Sequence, residues 1–270
     1  MLFLAAAALA QLAIVNAGVQ QTEDGSLVTP GVAFVGGETL FLSFQVEGYR
    51  VSRESKLRIS YQVDALDPEG VKLLETIESN LDRDLAPQDK EWKPKVRHQI
   101  PIPPHAPSGA YRVAIRVQDD LAAPKTTAAK EVPFTVRGHE VSPSETLVIR
   151  NFGFYRSEED HVFISPPAYR PGDALFARFD ITGYKLGGAN QVRVDYGIEV
   201  LDPGGKVLYR VEEAAVETSS SFYPKRYVPG TLRLDLQPKI RPGEFTIVLT
   251  VRDRIGNQQI EHRQRFSIEQ

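Results

Sequence analysis

The chain contains no cysteine in its 270 residues, which excludes disulfides, thiolate metal sites and thiol nucleophiles. Histidine is scarce: His98, His105, His139, His161 and His262 are scattered without metal-ligand spacing. Blocks of like charge are missing too. Residues 18–138 hold 15 basic and 17 acidic side chains and residues 139–270 hold 17 and 18, interspersed in both halves. Neither half is a basic body, which argues against nucleic acid as a partner. No Gly-x-Ser-x-Gly elbow occurs, since Ser219–Ser221 is only a polar run, and Gly187-Gly188 opens no helix. With no catalytic constellation and no cofactor motif, the chain reads as a non-enzyme.

What the chain does have is an internal repeat. Residues 37–73 align without a gap on 172–208 at an offset of 135, with 13 of 37 positions identical. Gly48-Tyr49, Tyr61, the Asp67-Pro68 turn and Leu73 are among them, matching Gly183-Tyr184, Tyr196, Asp202-Pro203 and Leu208. At an offset of 134, PSGAYRVAIRVQDD (107–120) lies over RPGEFTIVLTVRDR (241–254). A long fixed period marks a duplicated folding unit. Residues kept in both copies are expected to build the fold, and those that differ to carry function.

The residue period within each copy is two. Leu40, Leu42, Phe44 and Val46 alternate with polar neighbours, as do Leu57, Ile59, Tyr61, Val63 and Ala65, and Tyr111, Val113, Ile115 and Val117. Val192, Val194, Tyr196, Ile198 and Val200 repeat the pattern in the second copy, followed by Leu232, Leu234 and Leu236, then Phe245, Ile247, Leu249 and Val251. Such alternation predicts half-buried antiparallel strands, and no long stretch shows a helical period. Asp67-Pro68-Glu69-Gly70 and Asp202-Pro203-Gly204-Gly205 read as hairpin turns leading into short strands, 71–77 and 206–211.

The N-terminal 17 residues carry no charged side chain, and the apolar run Leu2–Val15 suits the core of a signal peptide. Val15-Asn16-Ala17 predicts cleavage before Gly18, followed by export to the periplasm or beyond. No other run approaches membrane-spanning length. The expected organisation is a signal peptide over 1–17, one domain over 18–138 and a second over 139–270.

The segments GAYRVAIRVQDD and GEFTIVLTVRDR, each followed by a closing strand (EVPFTV, RQRFSI), resemble the final hairpin of immunoglobulin-like domains. As a tandem pair they are similar to bacterial exported domains of the fibronectin type III or polycystic-kidney-disease type. The Trp-Asp-Phe-Gly-Asp-Gly signature of the latter is absent, so the resemblance is one of fold. It implies an all-β protein of two tandem antiparallel immunoglobulin-like β-sandwiches. It also implies adhesion, envelope scaffolding or protein binding rather than catalysis, with a protein or a cell-envelope glycan as partner. A carbohydrate-binding accessory module and a periplasmic two-domain chaperone stand as alternatives.

Candidate contact residues come from where the copies differ. Trp92 lies in one divergent stretch, and Phe222, Tyr223 and Tyr227 lie beside Lys225 and Arg226 in its counterpart, a pattern that fits a sugar or peptide face. Phe152, Phe154, Tyr155 and Phe163 flank Arg156–Asp160 and predict an extra hairpin, bracing the two domains or meeting another molecule. Asp119, Asp120 and Asp253 are expected to cap turns rather than to hold calcium, which wants six to eight oxygens. The recurring tyrosines are expected to send their hydroxyls to backbone partners.

Overall fold

The alternating apolar residues become the inward faces of strands in a computed structural model, which describes residues 11–29, 31–89 and 91–270. The chain divides between His139 and Glu140 into two compact units. Unit 1 contains β1 (Ala13–Gln20), β2 (Ala33–Val35), β3 (Thr39–Glu47), β4 (Lys56–Leu66), β5 (Ile77–Asp84), β6 (Lys95–Pro101), β7 (Gly109–Asp119) and β8 (Thr126–Arg137). These form a three-stranded sheet, β1-β3-β6, packed on a five-stranded sheet, β2-β8-β7-β4-β5. All pairs are antiparallel except the short β2–β8 contact.

Unit 2 repeats the plan with β9 (Val148–Tyr155), β10 (Ala168–Tyr169), β11 (Ala174–Thr182), β12 (Val192–Leu201), β13 (Val207–Ser219), β14 (Val228–Asp235), β15 (Gly243–Asp253) and β16 (Gln258–Ile268). Its sheets are β9-β11-β14 and β10-β16-β15-β12-β13, with β10 parallel to β16. The protein is therefore all-β, a tandem pair of immunoglobulin-like sandwiches.

Leu40, Leu42, Phe44 and Val46 from one sheet meet Leu57, Ile59, Tyr61 and Val63 from the other in the core of unit 1. Phe44 and Tyr61 pack edge to face at 5.8 Å. In unit 2 Phe179 and Tyr196, the same two repeat positions, do so at 5.2 Å. Each fully buried side chain of this size stabilises its sandwich by about 1.5–3 kcal/mol. The hydrophobic term is spread evenly over both copies.

The duplication reaches further than residues 37–73 suggest. Leu12, Ile14, Asn16 and Gly18 match Leu147, Ile149, Asn151 and Gly153 at the same offset of 135. Asn16 and Asn151 both sit in left-handed backbone, with φ of 48° and 49°, where β1 and β9 bulge. Asparagine tolerates that conformation because its side chain finds a local partner. Asn16 donates to Gln45 Oε1 at 2.6 Å and Asn151 to Asp180 Oδ2 at 2.8 Å, again matching positions.

The cleavage site expected from the sequence falls inside this strand. Cleavage after Ala17 would cut β1 between Val15, paired with Gln45, and Gly18, paired with Ser43. Leu12 and Ile14 are buried in unit 1. The glycine of each Gly-Tyr pair leaves room for the residues that lead into this strand. A Cβ on Gly48 would come within 2.2 Å of Gln11 O, and one on Gly183 within 1.9 Å of Thr146 O. Unit 1 thus includes residues 11–17. The apolarity of 11–15 was that of a core strand, which composition does not separate from a leader; residues 1–10 lie outside the described region.

Candidate functional site

The two copies differ in the segment that follows the Asp-Pro turn. In unit 1 Asp67 Oδ1 accepts the N–H groups of Glu69 and Val71, and Asp202 Oδ1 accepts those of Gly204 and Lys206 in unit 2. Beyond the turn the paths separate. Residues 71–76 are not a strand, and Leu73, 4 % exposed, donates its N–H to Ala65 O at 2.9 Å. In unit 2 β13 begins at Val207 and runs for 13 residues, far beyond the short strand expected there. Leu208, the counterpart of Leu73, is 51 % exposed.

A bulge shapes β13. Tyr196 pairs with Ala215 and Ile198 with Val211, so Glu212, Glu213 and Ala214 stand opposite Gly197 alone. A Cβ on Gly197 would meet Glu212 O at 2.4 Å, which makes glycine a condition of the bulge. Arg252 holds the bulge by donating to Glu212 O while pairing with Asp195. On either side of it Val207, Leu208, Tyr209 and Val216 are exposed.

Both β13 and β14 are edge strands, and a cleft of about 820 Å³ opens between them. Leu208, Leu234, Leu236, Ile240, Phe245 and Phe266 give it apolar walls. Arg233, ion-paired with Asp235 at 3.0 Å, and Arg241 stand at its rim. An edge strand offers unpaired main-chain donors and acceptors, so apolar pocket and hydrogen-bonding edge lie side by side.

The aromatic candidates scatter. Phe154 is 3 % exposed and packs on Tyr169 and Phe266. Phe152 stacks on Phe179 at 5.9 Å against the same core. The expected extra hairpin is instead β9, the partner of β11 and counterpart of β1, followed by a loop that returns through Ile164 N–H to Phe154 O. Phe152 and Phe154 thus pack within unit 2. Tyr155 carries the Arg178 guanidinium 3.8 Å over its ring. Phe163 remains 61 % exposed on that loop. Tyr223 and Tyr227 are buried, which corrects the idea of an aromatic ligand face around Lys225, whereas Phe222 and Trp92 are exposed.

No protein-family model matches the chain, and no curated protein sequence does. The fold is similar to the C-terminal domain of the Streptococcus agalactiae antigen I/II polypeptide BspA, at 10 % identity over 96 % of this chain and 100 % of that one, with a TM-score of 0.33. It is likewise similar to the C-terminal domain of the Streptococcus pyogenes antigen I/II-family protein AspA, at 10 % identity, 97 % and 100 % coverage, and TM-score 0.33. A tetra-tandem repeat from the extending region of a large adhesion protein matches at 9 % identity and TM-score 0.28, with 96 % of this chain over 49 % of that one. Likenesses this distant carry no inference about function.

The aspartates at the strand ends act on backbone. Asp119 accepts the N–H groups of Arg50 and Leu121, and Asp253 those of Lys185, Ile255 and Gly256. Both carboxylates are buried and spend their oxygens on holding neighbouring loops. No cluster of metal-ligating side chains occurs among the described residues, and no helix there is long and apolar enough to cross a membrane.

Three of the four recurring tyrosines reach main chain: Tyr49 to Trp92 O, Tyr184 to Lys225 O and Tyr196 to Thr231 O. Tyr61 instead meets His98 Nε2 at 3.1 Å. Burial raises the hydroxyl pKa of Tyr184 and of Tyr196 above the ordinary tyrosine value. The sequence signal for the β13 edge was the run Val207-Leu208-Tyr209, three apolar residues that break the period of two.

Proposed function

We propose that this protein is a non-enzymatic binding protein of adhesion type, in which unit 2 accepts an extended segment of a partner protein along β13. The observation that carries this reading is the contrast between Leu73, folded into its core, and Leu208, left at the mouth of an open cleft. The occupant is a strand that pairs with the β13 main chain and seats an aliphatic side chain beside Leu208, as unit 1 seats its own leucine. Main-chain pairing supplies affinity and the pocket supplies selectivity. Phe163 and Phe222, both exposed, are further contact candidates on the same unit. Export fits the apolar residues at 2–10, with any cleavage placed before Gln11 so that β1 stays whole.

Peptides selected from a random phage-displayed library against the immobilised full chain test the reading. Selected peptides should slow amide hydrogen exchange along β13 and lose affinity by about tenfold or more against Leu208→Asp. Selection of no peptide, or of peptides that leave β13 exchange unchanged, would overturn it. A dimer dissolved by Leu208→Asp would assign the edge to a second copy of the chain instead.

A further inference from the structure

The outward face of the five-stranded sheet in unit 1 forms a groove of about 730 Å³. Strand register places Asn80, Ser60, Gln118 and Thr127 in one row across β5, β4, β7 and β8. Glu78, Gln62, Arg116 and Ala129 form the next row. The first row is two amides and two hydroxyls, each able to donate and to accept. At roughly 4.8 Å between strands the row spans about 14 Å.

Part of this row is held in place before any ligand arrives. Gln118 donates its amide to Asp120 Oδ1 at 2.7 Å, and Ser60 also bonds to Asp120, which Lys125 holds at 3.1 Å. The Gln118 carbonyl oxygen is then the group turned to a ligand. Asn80 and Thr127 make no side-chain hydrogen bond among the described residues, so both keep their full capacity. Gln62 is fixed to Glu78 at 2.8 Å in the neighbouring row.

Unit 2 shows what the same face becomes when it is filled from within. Its matching row is Val216, Asp195, Arg252 and Gln259. There Asp195, 2 % exposed, takes Arg252 and Arg254 on its two oxygens, each at 2.5 Å. Charges that satisfy one another leave little for a ligand. In unit 1 the positions of Asp195 and Arg252 are Ser60 and Gln118, both neutral.

We infer that the groove across β5, β4, β7 and β8 of unit 1 binds a neutral glycan chain. A polyol presents closely spaced hydroxyls that both donate and accept, and a row of amides and hydroxyls answers them. Its strand-to-strand repeat is comparable with the length of one pyranose residue. The groove lacks the large apolar anchor that a peptide strand would need, because Tyr61 and Val117 face the core. Its Arg116 stands one strand from the Glu78–Gln62 pair, so the lining is no phosphate cradle either. This site does not involve β13, and it stands or falls independently of the reading of unit 2.

Affinity electrophoresis of the full chain tests it, in native gels cast with soluble β-1,3-glucan, galactomannan, xylan or dextran, with chitohexaose titrated by calorimetry. At least one of these five probes should bind. Asn80→Ala with Gln118→Ala should weaken that binding by about tenfold or more, and Ala129→Trp, which fills the groove, should abolish it. Gln259→Ala on the matching face of unit 2 should leave it unchanged. Thr127→Ala, at an exposed position on β8, gives a second reading should the double variant melt early. Binding to none of the five probes, or binding that the unit 1 variants do not alter, would overturn the inference.

Discussion

Leu73 and Leu208 occupy one position of the repeat, yet Leu73 is 4 % exposed and Leu208 is 51 % exposed. Identity of a residue in both copies therefore does not give it one role. The turn before each leucine is the same, with Asp67 and Asp202 each accepting two backbone N–H groups. Past the turn the two copies diverge, because β13 continues as a strand over a bulge that Gly197 permits, while Leu73 folds inward.

Leu73→Ala should destabilise unit 1 by about 2–5 kcal/mol, the usual cost of truncating a buried leucine. Leu208→Ala should change unit 2 by less than about 0.5 kcal/mol, as at an ordinary surface site. Urea unfolding of the two variants checks the contrast.

A chain beginning at Gln11 should melt with unit 1 intact, and one beginning at Gly18 should not. The shorter chain loses Leu12 and Ile14 from the core, about 3–6 kcal/mol of burial, together with half of the pairing of β1. Differential scanning calorimetry of both chains decides where unit 1 starts. A cooperative unit 1 transition in the chain from Gly18 would restore the cleavage site at Ala17.

Tyr196→Phe should cost unit 2 about 1–3 kcal/mol. The hydroxyl both donates to Thr231 O and accepts from Thr231 N–H, and its loss strands two main-chain groups on β14. Tyr196→Ala and Tyr61→Ala should each cost about 3–5 kcal/mol in their own unit only. Unfolding followed by exchange at β12 and at β4 separates the two.

Acid should weaken both units through half-buried imidazole. Burial lowers the pKa of His98 in unit 1 and of His262 in unit 2, where His262 lies against Phe152 at 5.2 Å. The unfolded rings titrate near pH 6.5, so between that value and the lower folded one the unfolded chain binds more protons. The stability is whole above about pH 6.5 and is lost as pH falls through the folded pKa. Urea midpoints between about pH 7.5 and pH 5 should fall for both units, and His262→Phe should flatten the fall in unit 2 alone.

Periodicity and turn chemistry carried the architecture. Alternation at Leu40–Val46 or Val192–Val200 marks a half-buried strand because side chains on a strand point to opposite faces, and Asp-Pro-x-Gly closes a turn through its own backbone. The duplication itself was legible, and so was the tandem sandwich. The edge of unit 2 was visible only as a run of three apolar residues, Val207-Leu208-Tyr209, that broke the pattern. The aromatics at 152–155 and 222–227 looked like a surface because they were unlike the first copy, although most of them pack inward.

Local sequence thus determined the regular central strands, such as those at Leu40–Val46 and Val192–Val200, the Asp-Pro turns and that the unit occurs twice. Only the tertiary structure showed that Ala13–Ala17 belong to strand β1 of unit 1. It also decided that Phe154, Tyr223 and Tyr227 are buried, and that Asn80, Ser60, Gln118 and Thr127 share one row. The reason is physical. Apolarity and period reflect the chain's own neighbours, whereas burial and register depend on which distant strand a segment meets, and pairs such as Ser60 with Gln118 form only when the sheet closes.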